Sequence, residues 1–320
     1  MSSYRVTVNL ELTGKCNALC VMCPREAIVN PRPMQPAVLR QVVDRLERGD
    51  VYRVVVAGYG EPTTHPRFRE CLEILRGARV RIDMVSNGQL LDETRLRLLD
   101  GLLHTLIVSF SSVDPEVYRS VHVNLDQQRV MHNIALAQST LRHTRLAISL
   151  TPLAACLPSL GQTIAWLRAN GVGLLTMSPT LYDRAGALHE QVDPGATLRQ
   201  IIERNGLRSQ EFDFVPSLRD VVGQWRCNRY RCLPRNAALA IAADGSYQYC
   251  FNDIAHAHPL GHVADTSVRA ALERRERLPA FADLCGDCNV RRRYGPLELT
   301  RAVGGYLRHR LHANRVGGAG

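Results

Sequence analysis

Three cysteines near the start of the chain, Cys16, Cys20 and Cys23, have the residue type and spacing of a soft metal centre. Thiolates suit zinc or iron–sulfur clusters. A structural zinc site is closed by four protein ligands. An iron–sulfur cluster held by three cysteines instead leaves one iron free for a ligand from outside the chain. The sequence therefore predicts either a fourth ligand elsewhere or a position left open for a cofactor.

A second group of cysteines lies near the C-terminus. Cys232 and Cys250 flank a predicted hairpin, and Cys285 and Cys288 form a close pair. Four thiolates, two from the hairpin and two from the Cys-x2-Cys pair, make a closed site. Such a site could hold a zinc ion as well as an iron–sulfur cluster. Cys227 is a fifth thiol of this group, so five cysteines compete for four places.

Composition limits the classes of function. The chain has 320 residues and a net charge of +10, carried by arginines and a single lysine, Lys15. The arginines are scattered along mixed-charge helices, which argues against a nucleic-acid partner. The sequence has neither a signal peptide nor an apolar run that could span a bilayer, so we expect a cytoplasmic protein without a membrane partner. In a reducing compartment, ten cysteines favour metal or redox use over disulfides.

Six β-branched runs alternate with amphipathic stretches over the first 180 residues. Apolar strands of this kind are typical of a parallel sheet whose strands are buried on both faces, with the helices outside. Six βα units are too few for an eight-stranded barrel, so we predict an α/β partial (β/α)6 TIM-like barrel with its chemistry at the C-terminal strand ends. The predicted strands are YRVTVNLEL, VYRVVVAG, RVRIDMVSNG, HTLIVSFS, TRLAISLTP and VGLLTMSP.

The remainder divides into three parts. Residues 181–225 read as a linker with one helix, and 226–295 as a small cysteine-rich domain. That domain contains a hairpin around Asp244-Gly245, a strong turn signal, followed by a helix. Residues 296–320 read as a helix and a disordered tail. Domain boundaries are therefore expected at 1–180, 181–225, 226–295 and 296–320.

The spacing Cys-x3-Cys-x2-Cys directly after a first strand resembles the radical S-adenosylmethionine (radical SAM) superfamily. There the three cysteines hold a 4Fe–4S cluster, and its free iron binds the amino and carboxylate groups of S-adenosylmethionine. "AGYGEP" resembles the family's Gly-Gly-Glu-Pro motif, with Tyr59 in place of a glycine. "SNGQLL" resembles its ribose-contacting element. The resemblance covers about residues 5–180 and implies cofactor-binding roles for Tyr59, Gly60, Glu61, Pro62, Ser86, Asn87, Ser109 and Ser111.

The second group of cysteines is similar to the SPASM/twitch extension of that family, which binds auxiliary 4Fe–4S clusters. Two further cysteines expected of a full SPASM domain after Cys288 are missing, which favours the shorter twitch form with one auxiliary cluster. By the family pattern, the ligands are Cys232, Cys250, Cys285 and Cys288, and Cys227 is free. The rival pairing takes Cys227 and leaves Cys250 free.

The resemblance implies a 5′-deoxyadenosyl radical that abstracts a hydrogen atom from a substrate carbon. The odd fifth cysteine favours an epimerase of a sugar or aminoglycoside-type natural product, an antibiotic-biosynthesis reaction, with Cys227 or Cys250 as hydrogen-atom donor. The alternatives are a twitch-type dehydrogenase of an aminocyclitol or sugar alcohol, a modifier of ribosomal peptides and, from another class, a zinc-binding nucleic-acid module.

We expect a small-molecule substrate, because the first predicted strand leaves no room for a peptide-binding domain before it. A polycationic aminoglycoside would need nearby acids, for which the candidates are Asp244, Asp253, Asp287 and Glu211. The expected cofactors are two 4Fe–4S clusters and S-adenosylmethionine. The expected electron donor is a flavodoxin or ferredoxin.

Overall fold

Six strands of the first 180 residues pair in parallel in a computed structural model, which describes residues 4–28, 31–179, 195–286, 288, 297, 300 and 303–307. This confirms the predicted α/β fold with six βα units. The strands of the described residues are β1 Val6–Leu10, β2 Val51–Val56, β3 Arg81–Ser86, β4 Thr105–Phe110, β5 Arg145–Leu150, β6 Leu174–Met177, β7 Arg208–Ser209, β8 Ala238–Ile241, β9 Ser246–Gln248 and β10 Pro259–His262.

Most of the helices between these strands lie where the apolar periodicity predicts them. Several begin at a side chain that accepts a hydrogen bond from a backbone N–H of the first turn, which fixes where the helix starts. These capping residues are Asp92, Asp114, Asp126, Ser217 and Ser267. The helices are α1 Pro36–Arg45, α2 Phe68–Leu75, α3 Glu93–Leu99, α4 Pro115–Val121, α5 Gln127–Thr140, α6 Leu160–Ala169, α7 Gly195–Arg204, α8 Leu218–Cys227, α9 Leu233–Ala237, α10 Val268–Arg277 and α11 Ala282–Cys285.

The hairpin does not fold apart from the barrel sheet. It turns at Gly245, whose φ of +95° suits glycine. Its first strand, β8, pairs in parallel with β1, and the described strands form one sheet in the order β10-β9-β8-β1-β2-β3-β4-β5-β6-β7. The sequence predicts a separate domain there. Pairing with β8 satisfies backbone groups of β1 that would otherwise form an exposed edge.

The two faces of the barrel strands differ, contrary to the expectation that both are apolar. The outward side chains, such as Val54, Met84 and Leu106, are fully buried beneath the helices. The inward ones alternate with them and include Arg53 and Ser149, which line a cavity. Polar groups are tolerated on this face because an open partial barrel leaves its interior unfilled.

Helix α8 holds the beginning of β1 in place through hydrogen bonds to Arg5. The carboxylate of Asp220 accepts hydrogen bonds from the backbone N–H of Arg5 at 2.8 Å, from the Arg5 guanidinium at 2.9 Å and from the Ser217 hydroxyl at 2.6 Å. Burial alone would raise the pKa of Asp220, but these donors outweigh it and hold the pKa below its usual value. Asp220 therefore stabilises the fold while it is ionised.

We expect Asp220→Asn to lower the free energy of unfolding by about 2 kcal/mol at pH 7, because charge-assisted hydrogen bonds of a buried group are lost. The contribution of a carboxylate with a lowered pKa is present above its unfolded pKa and is lost as the pH falls through its folded pKa. The difference in unfolding free energy between wild type and variant should therefore narrow as the pH falls below about 3.9, the ordinary pKa of an aspartate, measured by urea unfolding. The exposed control Glu203→Gln should follow wild type, and a difference independent of pH would contradict the role of Asp220.

Candidate functional site

The loop after β1 carries Cys16, Cys20 and Cys23, all three partly buried. The Cys16 sulfur accepts from the backbone N–H of Ala18 at 3.4 Å. The Cys20 sulfur lies 3.2 Å from Nδ1 of His122. The backbone N–H of Cys23 donates to the carbonyl of Cys20 at 3.0 Å, which turns the loop so that it returns towards its own start.

Backbone hydrogen bonds fix this loop against the end of α4 and the residues that follow it. The N–H of Leu19 donates to the carbonyl of Val123 at 2.9 Å, and the N–H of Val21 to that of Val121 at 3.1 Å. His122 lies between these two acceptors and is buried, and burial lowers its pKa to about 4. Its imidazole is therefore neutral at pH 7 beside the Cys20 thiol.

The segment after β2 packs directly against the same loop. The backbone N–H of Glu61 donates to the carbonyl of Lys15 at 2.8 Å. A Cβ added at Gly60 would lie 2.0 Å from the carbonyl oxygen of Thr13 and 2.5 Å from that of Lys15. Only glycine permits this approach, so Gly60 is needed to join the ends of β1 and β2.

The Glu61 carboxylate connects the ends of β2 and β3. One oxygen accepts from the backbone N–H of Thr63 at 3.1 Å, its hydroxyl at 2.6 Å and the Ser86 hydroxyl at 2.8 Å. The other accepts from the backbone N–H of Asn87 at 2.7 Å. Burial raises the pKa of Glu61, and the four donors act in the opposite direction. The predicted cofactor-binding role of Glu61 stays open, but its oxygens already have protein partners.

Asn87 continues this network to the cysteine loop. Its side-chain N–H donates to Oδ1 of Asn17 at 2.8 Å and lies 3.9 Å from the Cys16 sulfur. The ends of β1, β2 and β3 are thus joined through Cys16, Asn87 and Glu61. Local sequence could not reveal this, because the three residues are far apart along the chain.

The other predicted cofactor residues lie in different surroundings. Pro62 begins a short 3-10 helix, Pro62–Thr64. The Ser111 side chain is buried, and its hydroxyl has no hydrogen-bond partner among the described residues. Ser109 and Tyr59 line the cavity of the barrel, and the Tyr59 hydroxyl donates to the carbonyl of Phe251. The cofactor roles of all four stay predictions.

Cys232, Cys250, Cys285 and Cys288 lie near enough to one another to interact electrostatically. Burial raises the pKa of the Cys250 thiol, and the neighbouring thiols of Cys232, Cys288 and Cys285 raise it further. Burial likewise raises the pKa of Cys232 to about 11, with contributions from Cys288 and Cys285. Within the described part of the chain, no three His, Cys, Asp or Glu side chains lie close enough to hold a single metal ion.

Cys227 is the fifth thiol of the second group. It is the last residue of α8 and is partly buried against the core. Whether Cys227 or Cys250 is the spare cysteine stays a prediction.

A cavity of about 950 Å³ fills the interior of the barrel. It extends from the N-terminal strand ends, at Arg53 and Arg81, to the C-terminal ends, at Ala57 and Ser109. Of the ten cysteines, all of which the structure describes, Cys250 alone lines it. The loop after β9 closes one side with Phe251, Asp253 and His256.

Comparison with known proteins identifies the first half of the chain. Residues 10–150 match the family model described as the radical SAM superfamily. These residues form a radical SAM domain. The domain contains the three-cysteine loop, the Glu61 network, the strands β2 to β5 and the last residue of β1. A radical SAM domain implies a 4Fe–4S cluster that binds S-adenosylmethionine.

Two relatives with similar sequences are named for a function. The chain is 29% identical over 150 residues to a probable GTP 3′,8-cyclase of Methanocaldococcus jannaschii. The aligned region covers 46% of this chain and 47% of that relative. The chain is also 27% identical over 108 residues to an S-adenosylmethionine-dependent nucleotide dehydratase of a Thermoplasmatales archaeon. That aligned region covers 34% of this chain and 38% of the relative. Each alignment thus spans less than half of the relative's own length.

Solved structures resemble the chain over a greater length. Streptococcus suis SuiB bound to its precursor peptide SuiA superimposes with a TM-score of 0.68 at 11% identity, over 90% of this chain and 70% of SuiB. BtrN in complex with AdoMet and 2-DOIA superimposes with a TM-score of 0.56 at 17% identity, over 90% of this chain and 94% of BtrN. At such identities the likeness establishes the fold alone.

The donors present fit the implied cluster. Three thiols on one loop are a soft donor set with one ligand fewer than a cubane needs, as expected when S-adenosylmethionine completes it. The strand-end segments held by Gly60 and Glu61 surround the same loop. Cys16, Cys20 and Cys23 are thus the residues that would hold the cluster.

Several residues of this region were not predicted from the sequence. His122, Asn17 and Glu11 are single polar residues in or beside loops, with no motif to distinguish them. Glu11 follows β1, lines the cavity and accepts from the backbone N–H of Tyr59 at 2.8 Å. The signal that could have identified Glu11 from the sequence is its position at the C-terminal end of a barrel strand, where catalytic residues of such folds lie.

We expect Glu61→Gln to lower the free energy of unfolding by about 1–3 kcal/mol, because either amide orientation places an N–H against a backbone N–H donor. The exposed control Glu93→Gln, which loses only a surface ion pair with Arg97, should cost at most about 0.5 kcal/mol. Urea unfolding measures both changes. Equal stabilities of the two variants would mean that the four hydrogen bonds do not hold the strand ends together.

Iron content separates cluster ligands from spare thiols. With two 4Fe–4S clusters, the reconstituted wild type should bind about eight irons per chain. The iron content of Cys250→Ala should fall towards about four per chain, whereas Cys227→Ala and the buried control Cys71→Ala should keep about eight irons. An iron assay and the absorption spectrum measure these contents. Loss of iron from Cys227→Ala with retention in Cys250→Ala would establish the rival pairing. A colourless protein that binds zinc would overturn both pairings.

Proposed function

We propose that this radical SAM protein oxidises a small molecule held in the barrel cavity. The observation that carries the proposal is the position of Cys250, which borders the cavity and also lies beside Cys232, Cys285 and Cys288. If these four thiols hold an auxiliary cluster, that cluster adjoins the substrate. Such a cluster is suited to accept an electron.

The reaction we propose converts a secondary alcohol or amine carbon to the C=O or C=N level. When bound, the first cluster with S-adenosylmethionine would supply a 5′-deoxyadenosyl radical as the acceptor of one hydrogen atom from the carbon, and an auxiliary iron–sulfur cluster held by the second group of cysteines would supply an acceptor for one electron. One proton then leaves the heteroatom. Glu11 is our candidate acceptor, because its buried carboxylate borders the cavity and burial raises its pKa towards the range of a general base.

The remaining residues of the cavity hold the substrate and exclude water from it. The Tyr59 ring crosses to the loop after β9, where its hydroxyl donates to Phe251. Gln210 donates to the hydroxyls of Ser149 at 2.7 Å and Thr176 at 3.1 Å on the opposite wall. These bonds fix polar groups at positions where a small substrate can be oriented.

Epimerisation is the second candidate function, and one observation favours it. Cys250 is the cysteine at the cavity wall, so under the rival pairing it would be the hydrogen-atom donor. Cys227 is not among the residues that line the cavity, which disfavours it as donor. We therefore rank oxidation first, and place the sugar or aminoglycoside epimerase and its role in antibiotic biosynthesis second.

The substrate class is likewise a proposal. The sequence relatives are named for GTP and for nucleotides, and SuiB is bound to a peptide. A cavity of about 950 Å³ suits a small molecule of nucleotide size. We also propose a flavodoxin- or ferredoxin-type electron donor and neither nucleic acid nor a membrane as partner. No helix in the described ranges is long and apolar enough to cross a bilayer.

The products of the two candidate reactions differ in mass. The reconstituted enzyme, with S-adenosylmethionine and dithionite, is incubated anaerobically in deuterium oxide with a small-molecule extract of the source cells. We expect 5′-deoxyadenosine and, in matching amount, a product that has lost two hydrogens and carries no deuterium at the oxidised carbon. A product of unchanged formula with one deuterium on carbon would establish epimerisation instead. The triple variant of Cys16, Cys20 and Cys23 to Ala is the control and should form no 5′-deoxyadenosine.

A further inference from the structure

We propose that the N-terminal end of the barrel cavity binds an oxyanion of the substrate, a phosphate or carboxylate, through Arg81, Arg145 and Arg208. The proposal rests on the proposed function in one respect, that the cavity holds the substrate. It adds the chemical class of that substrate and its orientation in the barrel.

Basic residues collect at one end of the cavity because parallel strands begin on the same side of a sheet. Arg81, Arg145 and Arg208 are the first residues of β3, β5 and β7, and Arg53 is the third residue of β2. His104 immediately precedes β4. All five line the cavity.

Two carboxylates do not neutralise these arginines. Oδ2 of Asp83 accepts from Arg53 at 2.9 Å and from Arg81 at 3.2 Å. Oδ1 of Asp213 lies 2.8 Å from Arg208 and 3.7 Å from Arg53. With Arg145 included, four guanidinium groups face two carboxylates, so two positive charges remain in excess even when His104 is neutral.

Two of the arginines have capacity for a further partner. The Arg145 side chain has no ion pair with any described residue and is exposed. Nε of Arg81 is buried and has no hydrogen-bond acceptor among the described residues. A buried donor of this kind is costly to leave unpaired. An oxyanion accepts from guanidinium groups in two-pronged geometry, which would satisfy both arginines.

The length of the barrel orients such a substrate. Arg81 and Val85 both line the cavity on β3 and are four residues apart, or about 13 Å at 3.3 Å per residue. The oxyanion would therefore lie at the opposite end of the cavity from the cysteine loop. A substrate that reaches both ends has the size of a nucleotide or a phosphorylated disaccharide.

The same charges disfavour the polycationic substrate considered from the sequence. The acids that it would need have other partners: Glu211 binds Arg199 at 2.9 Å, and Asp253 accepts from the backbone of Ala257 and His258. Asp244 accepts from the backbone of Ser246. Asp287 lies outside the described residues.

Calorimetric binding of pyrophosphate to the reconstituted full-length protein tests this site, with succinate as the carboxylate probe. Arg145→Gln should weaken binding about tenfold, the effect of losing one charge-assisted contact. The control Arg142→Gln removes an exposed arginine that lies three residues away and does not line the cavity, so it should bind like wild type. Arg208→Gln is a second test variant, and thermal unfolding of each variant checks its folding.

Preferential binding of pyrophosphate identifies phosphate as the recognised group, and preferential binding of succinate identifies a carboxylate. If neither anion binds wild type, or if Arg145→Gln and Arg142→Gln bind alike, the proposal is overturned. Formation of 5′-deoxyadenosine without substrate is measured separately on the same preparations. Radical SAM activity with no anion binding would overturn this inference alone, and anion binding with no 5′-deoxyadenosine would overturn only the proposed function.

Discussion

A single buried carboxylate, that of Glu61, determines how the candidate cofactor end of this barrel is assembled. It accepts hydrogen bonds from Thr63, Ser86 and Asn87, and so ties the segment after β2 to the end of β3. A carboxylate removed from water must have such donors, because a charge left unpaired in the interior is strongly destabilising. Asn87, held in this way, reaches Asn17 and the Cys16 sulfur. The cysteine loop therefore takes its position from groups that it does not itself contain.

The open barrel gives the molecule two chemically different ends. A closed barrel of this kind fills its interior with side chains, whereas here the strands leave a cavity of about 950 Å³. Since all the barrel strands run in one direction, acids, hydroxyls and thiols gather where the strands end and arginines where they begin. A substrate lying along the cavity would place its reacting carbon and its anchoring group at opposite ends. This separation lets one end change specificity without disturbing the cluster loop.

The hairpin β8–β9 links the second group of cysteines to the barrel. Because β8 pairs with β1, the chain that follows β9 returns beside the cavity and brings Cys250 to its wall. Tyr59, which follows β2, contacts the same loop through a hydrogen bond from its hydroxyl to the carbonyl of Phe251. The reaction that we propose depends on this pairing more than on the number of cysteines, since a hairpin folded elsewhere would leave the same thiols far from any substrate.

The sequence by itself determined the βα order, the parallel sheet, the hairpin turn at Gly245 and the three-cysteine loop. These are local properties, set by hydrophobic periodicity, turn chemistry and ligand spacing within short segments. Sequence reasoning missed the Glu61 network, His122 beside Cys20 and the basic end of the cavity, because each joins residues from distant segments. It also did not reveal that the hairpin continues the barrel sheet, where β8 pairs with β1. Strand partners and inward-facing positions follow from register, and only tertiary packing fixes register, since a shift of one residue moves every side chain to the other face.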